Sequence, residues 1–161
     1  MKFQKRLWIF MAIFVFILVS IVQPSSASTN GYYRFPTLRG DTLVFSAEGD
    51  LWIVDSQGGL ARRLTTHPGE ETNPSISPDG KTLAFSATYE GPTELYTMPI
   101  EGGMPIRRTY EADSSTVLGF TPDGQLMYTT RAYSTIPDPQ LLLIDLSTGS
   151  ISRIPLHQAS D

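Results

Sequence analysis

Cysteine is absent from all 161 residues. Its absence excludes a disulfide framework, a thiolate metal site, a cysteine nucleophile and a lipid-modified cysteine. Histidine is nearly as scarce: His67 and His157 alone leave little from which to build a metal centre. With 13 Gly and 12 Pro, the chain has too few of either for a collagenous or low-complexity polymer. Basic charge is also short and unevenly placed. Lys2, Lys5 and Arg6 lie in the first six residues, which contain no acid, and the remainder carries 9 basic and 16 acidic side chains, a net of −7. A body that acidic disfavours nucleic acid or an anionic membrane surface as partner. Past the first residues, no window has the i, i+3, i+4 apolar spacing of a helix.

What is present begins with an address. After the basic cluster comes an apolar run of 16 residues, 7–22, broken only by Ser20, and then a polar, small-residue stretch. This order is that of a secretory signal peptide, expected over 1–27, with Ser25 and Ala27 at the −3 and −1 positions of a cleavage site. As a helix the run would span about 24 Å, short of the roughly 30 Å hydrocarbon core of a bilayer, so cleavage is favoured over a retained anchor. The body is therefore expected outside the cytoplasm, periplasmic or secreted.

The body, 31–161, repeats. Three units share one plan, over about 35–65, 73–109 and 117–156. Leu51-Trp52 and Leu95-Tyr96 recur at a shift of 44, as do Gly58-Gly59 with Gly102-Gly103 and Asp79-Gly80 with Asp123-Gly124. A period of this size with four short strands per unit is the signature of a propeller blade. In the second unit the strands are expected at 74–77, 82–87, 94–100 and 105–109. The 77–80 segment, Ser-Pro-Asp-Gly, is a turn: proline presets φ, aspartate bonds its own backbone and glycine accepts positive φ. The third strands of the first and third units, 51–54 and 141–144, are continuously apolar, as expected where neighbouring blades cover both faces of a sheet. The fold class is thus all-β, a partial propeller of about three four-stranded antiparallel blades. Its two end blades should each leave an apolar face uncovered.

SPDGKTLAFSA and TPDGQLMYTT resemble the Pro-Asp-Gly repeats of exported bacterial propellers. The opening YYRFPTLRGDTLVFSAEGDLWIVD, followed by GGLARRLT, is similar to the start of tricorn-type serine peptidases, and VLGFTPDG in the third unit fits them too. The resemblance covers 31–156. It implies the first half of a six-bladed N-terminal propeller that acts as a channel, gate or peptide-access module. It further implies the rest of that propeller and catalytic domains downstream, peptides in transit and oligomeric assembly of the full-length protein. Archaeal members use paired arginines in this propeller to hold a peptide carboxylate, whereas the corresponding 111–116 connection here has two acids and no arginine. The other reading is a Tol-system-like periplasmic propeller that binds protein partners.

No residue stands out as catalytic. Gly-x-Ser-x-Gly and His-Glu-x-x-His are both missing, so neither histidine is marked as a base or a zinc ligand. No catalytic, cofactor-binding or metal site is expected in this chain, no cofactor is implied, and the chain alone should hydrolyse nothing. Glu70 and Glu71, with Glu111 and Asp113, fall in equivalent connections and are expected to form acidic loops at one mouth of the channel, favouring basic peptides. Arg62, Arg63, Arg107 and Arg108 read as solvated edge charges. Trp52, Tyr96, Phe45, Phe85 and Phe120 read as packing between blades.

Overall fold

The computed structural model describes residues 32–111, 113–135 and 138–154. The expected leader at 1–27 and His157 lie outside these residues. The described chain folds as three four-stranded antiparallel sheets. The first is β1 (Tyr33–Arg39), β2 (Thr42–Ala47), β3 (Asp50–Asp55) and β4 (Arg62–Arg63). The second is β5 (Glu71–Ile76), β6 (Thr82–Ala87), β7 (Glu94–Pro99) and β8 (Ile106–Arg107). The third is β9 (Ser115–Phe120), β10 (Leu126–Thr130), β11 (Gln140–Ile144) and β12 (Ile151–Arg153). In each sheet the strands lie in chain order, and the inner strands β1, β5 and β9 pack beside one another. This is the radial arrangement of propeller blades.

Burial follows position in the arc. In the middle blade nearly every residue of β6 and β7 is buried, as required of a sheet covered on both faces. In the first and third blades only alternate or scattered positions are buried, and Tyr33, Leu38 and Leu118 are exposed. Two apolar clusters fill the seams. Val44 and Leu51 of the first blade meet Leu83, Phe85 and Tyr96 of the second. Ala84 and Leu95 of the second meet Val117, Leu126 and Tyr128 of the third. Each fully buried Leu or Phe contributes about 1.5–3 kcal/mol. Phe85 stacks on Tyr96 with ring centroids 5.9 Å apart, and the Trp52 indole N–H donates to the Ala47 carbonyl at 3.2 Å.

The turns form for the reasons visible in sequence. Asp79 Oδ1 accepts from the Ser77 hydroxyl at 2.6 Å and the Lys81 N–H at 3.1 Å, and Gly80 sits at φ +73°. The outer edges are only two or three residues long, a geometry that resists further pairing. The expected third strands hold to within a residue, and the larger differences fall on the inner and outer strands. The inner strand expected from 74 begins at Glu71, and β9 begins at Ser115, two residues before its repeat unit, because both polar side chains are buried between blades. The outer strand expected over 105–109 pairs with β7 only at Ile106–Arg107, since beyond it the Leu95 N–H donates to the Thr109 side-chain oxygen instead of a backbone carbonyl.

Candidate functional site

The most organised polar chemistry lies in the seams, where each blade-to-blade connection enters the next inner strand. In the first seam the Leu51 N–H donates to Thr65 Oγ1 at 2.9 Å and to Glu71 Oε2 at 3.1 Å. The Thr65 hydroxyl donates to the same carboxylate, and the Tyr89 hydroxyl donates to its other oxygen. Arg63 pairs with Asp50 and donates from Nε to the Thr65 carbonyl at 3.0 Å. Glu71 has no solvent exposure, and burial raises its carboxyl above the ordinary range. Hydrogen bonds from Thr65 and Tyr89 oppose that shift, while the neighbouring Asp50 charge adds to it. Burial, reinforced by the Glu71 carboxylate, also pushes the Tyr89 phenol upward.

The second seam repeats the plan with different acids. The Leu95 N–H donates to Thr109 Oγ1 at 2.9 Å, and the Thr109 hydroxyl donates to Glu94. Arg107 Nη2 reaches Glu94 Oε1 at 2.7 Å, and its Nε donates to the Thr109 carbonyl at 2.8 Å. Ser115 stands where Glu71 stood. Its hydroxyl donates to Glu111 Oε2 at 2.6 Å, and the Tyr128 hydroxyl donates to Glu111 Oε1 at 3.0 Å.

These contacts correct two expectations. Glu71 is not part of an acidic mouth, since it is sealed between blades by donors 6 to 20 residues away in sequence. Glu70 is exposed but pairs with Arg34, Asp113 pairs with Arg131, and Glu111 is spent on Ser115 and Tyr128. Nor are Arg63 and Arg107 free edge charges: each reaches back to a buried acid. Only a recurrent signal, Arg63 with Thr65 and Arg107 with Thr109 at the shift of 44, marked these residues in the sequence.

His67 sits in the first connection. Its ring lies 3.8 Å from that of Tyr89, and its Nδ1 accepts the Gly69 N–H at 2.9 Å. That bond ties the imidazole to its own loop. Gly69 is required there, because a Cβ would stand 2.5 Å from the Thr88 carbonyl oxygen. Among the described residues no three His, Asp or Glu side chains are grouped to hold a metal ion. At the opposite end of the sheets a cleft of about 610 Å³ runs between Ser77–Asp79 and the turns around Asp123 and Asp145. Each of these aspartates serves its own turn. Bonds from Ser77 and Lys81, from Thr121 and Gln125, and from Ser147 hold the three carboxyls below the usual range.

Comparison with known proteins agrees with the arc of blades. Residues 30–161 match the family model described as the tricorn protease N-terminal β-propeller domain. Tricorn protease homolog 1 of Streptomyces coelicolor is 30% identical over 145 residues, a stretch that spans 89% of this chain and 13% of that protein. The crystal structure of the tricorn protease superposes with a TM-score of 0.67 at 25% identity, covering 77% of this chain and 13% of that one. TolB from Acinetobacter baumannii shares the fold with a TM-score of 0.65 at 23% identity, over 78% of this chain and 33% of that one. The three blades, the Pro-Asp-Gly turns of the second and third, and the family match agree, and the chain belongs to the tricorn protease N-terminal β-propeller domain family.

Proposed function

We propose that this chain is the N-terminal propeller segment of an exported tricorn-like serine peptidase, serving as a channel, gate or peptide-access module with no catalytic residue of its own. One observation carries this reading. The middle blade is buried on both faces, whereas the end blades are covered on one, so the arc is built to receive further blades at both ends. Hydrolysis then belongs to domains beyond this segment. Residues 1–27 direct export, with cleavage after Ala27.

The test is the native product. An antibody to the described residues is used on the exported fraction of the host, followed by intact mass and labelling with a serine-directed fluorophosphonate. A captured protein many times the 17.8 kDa of this chain, carrying the label, supports the reading. A captured protein of this size without label, bound to envelope proteins, favours the Tol-like partner-binding propeller, whose fold neighbour superposes almost as well. Peptide hydrolysis by the purified chain itself would count against both.

A further inference from the structure

The outer side of the first seam carries a groove that its buried polar joint does not use. Two hollows of about 290 and 390 Å³ adjoin there, and both are bounded by His67, Tyr89 and Pro105. One continues along Leu64 and Pro68, the other along Tyr96, Arg107 and Tyr110. The walls are aromatic. The Tyr89 ring lies 3.8 Å from that of His67 and 4.5 Å from that of Tyr96, centroid to centroid. The Arg107 guanidinium stands 4.6 Å over the exposed ring of Tyr110. Phe85 stacks on Tyr96, and the Tyr89 hydroxyl is tied to buried Glu71, so these two rings are held in place before any ligand arrives.

The polar groups bordering the groove are mainly donors. His67 Nδ1 accepts the Gly69 N–H, so the neutral ring carries its proton on Nε2. Tyr96 is only 5% exposed, and its hydroxyl has no hydrogen-bond partner among the described residues. It lies within electrostatic reach of Arg107, Glu90 and Tyr110, which line the same hollow, and burial raises its phenol, which keeps it a donor. A buried donor left unsatisfied is costly, so this hydroxyl is poised for an acceptor from outside the chain. Glu90 is the one carboxylate lining either hollow. It is exposed at the rim, and Arg107 beside it is already matched by buried Glu94.

This pattern discriminates among ligands. An added β-strand brings an N–H with each carbonyl and needs a ladder in return. The β8 edge is two residues long and follows Pro105, which has no N–H. Sugar hydroxyls likewise demand acceptors as well as donors. A proline-rich segment brings carbonyl acceptors from tertiary amides that carry no N–H. Its rings pack on aromatic faces, and its polyproline II form is set before binding. A basic residue next to the prolines would meet Glu90, and the acidic body favours that sign.

We infer that the outer groove of the first seam is a docking site for a proline-rich segment of a partner protein, bound as a polyproline II helix with a basic residue set on Glu90. The groove is formed by the outer strand β8, its neighbour β7 and the connections rather than by the inner strands, so the inference is independent of the peptide-access reading.

The test is fluorescence anisotropy of short labelled peptides with the full chain. One peptide is proline-rich and ends in arginine, a second has its prolines replaced by alanine, and a third ends in glutamate instead. Expected is saturable binding of the first, about tenfold weaker binding of the second and about threefold weaker binding of the third. Tyr110→Ala, at an exposed ring, should weaken the first by about tenfold. Tyr96→Phe keeps the ring, removes only the hydroxyl, and should weaken it by about fivefold. Glu90→Gln should abolish the preference for arginine over glutamate, and Leu118→Ala, on β9 of the third blade, should change nothing. Equal binding of the alanine peptide, or no saturable binding, would overturn the proposal. So would binding that ignores both Tyr110→Ala and Tyr96→Phe, which would place the peptide elsewhere. Binding of a neutral oligosaccharide in place of the peptides would overturn it in favour of a glycan groove.

Discussion

The two seams of this arc answer one structural demand in different ways. Each must satisfy a leucine N–H, a threonine hydroxyl, a tyrosine hydroxyl and an arginine at the place where one blade hands the chain to the next. In the second seam Glu94 is long enough to hold both Arg107 and Thr109, and the tyrosine is left to Glu111 in the half-buried connection. In the first seam Asp50, one methylene shorter, holds only Arg63, and Glu71 reaches in from β5 to collect Thr65, Leu51 and Tyr89. The first seam therefore buries two carboxylates against one arginine, with Asp50 Oδ1 left unpartnered among the described residues. The acids at repeat-equivalent positions differ, yet the leucine, threonine and arginine donors they serve are repeat-equivalent, while the tyrosine comes from a different position in each seam.

The strongest way to break this comparison is to remove the acid on the inner strand. Glu71→Ala strands the Thr65 and Tyr89 hydroxyls, the first of them buried with it, and should cost about 3 kcal/mol. Ser115→Ala removes one hydroxyl whose partner Glu111 keeps Tyr128, and should cost about 1 kcal/mol. Urea unfolding of the two variants measures the difference, and equal costs would mean that the seams are interchangeable.

A sharper probe converts one seam into the other. Glu71→Ser alone should lose nearly as much as Glu71→Ala. Adding Asp50→Glu supplies a carboxylate long enough for Thr65, as Glu94 is for Thr109, and should recover about 1–2 kcal/mol. A double-mutant cycle reads this coupling directly, and simple additivity would show that the acids are not exchangeable. A smaller asymmetry runs the other way. Leu51 N–H has a second acceptor in Glu71, whereas Leu95 N–H relies on Thr109. Thr109→Val should thus exceed Thr65→Val by about 1 kcal/mol in the same unfolding assay.

These seams explain what could be read from the sequence and what could not. Pattern and turn chemistry located β6 at Thr82–Ala87 to the residue, and the apolar third strands to within a residue, because alternation, Pro-Asp-Gly and β-branched runs are local. The inner strand β5 was legible only from its fourth residue, Pro74. Glu71 and Ser115 look like loop residues in sequence, and their burial depends on donors brought from the preceding blade. For the same reason Arg63 and Arg107 resembled edge charges, since no local rule pairs them with acids 13 residues back. The bulges opposite Phe45, Phe85 and Tyr128 left a trace in Phe35-Pro36 and Asn73-Pro74, but a proline there reads equally as a strand start. The fold was thus carried by repetition and the polar joints by long-range assembly.

The smallest effect separates the seams by their response to pH. Burial raises the Glu71 carboxyl above its ordinary 4.5, so the folded chain holds this proton more tightly than the unfolded chain does. The contribution of Glu71 is therefore most favourable below about pH 4.5 and is lost as pH rises through its folded value. The turn carboxyls of Asp79, Asp123 and Asp145 are shifted the other way and lose their contribution as the solution becomes acidic. Glu71→Gln removes the first effect and leaves the second. The variant should melt at or above the temperature of the parent at pH 8, where the parent carries a buried charge. That advantage should shrink toward pH 4, where the parent carboxyl is protonated and matches the amide more closely. Ser115→Ala, made in the seam whose second acid lies in the half-buried connection, should shift the melting temperature by the same amount at both pH values. A difference between Glu71→Gln and parent that stays constant from pH 4 to pH 8 would mean that Glu71 takes up no proton on folding, and the distinction between the seams would then be one of geometry alone.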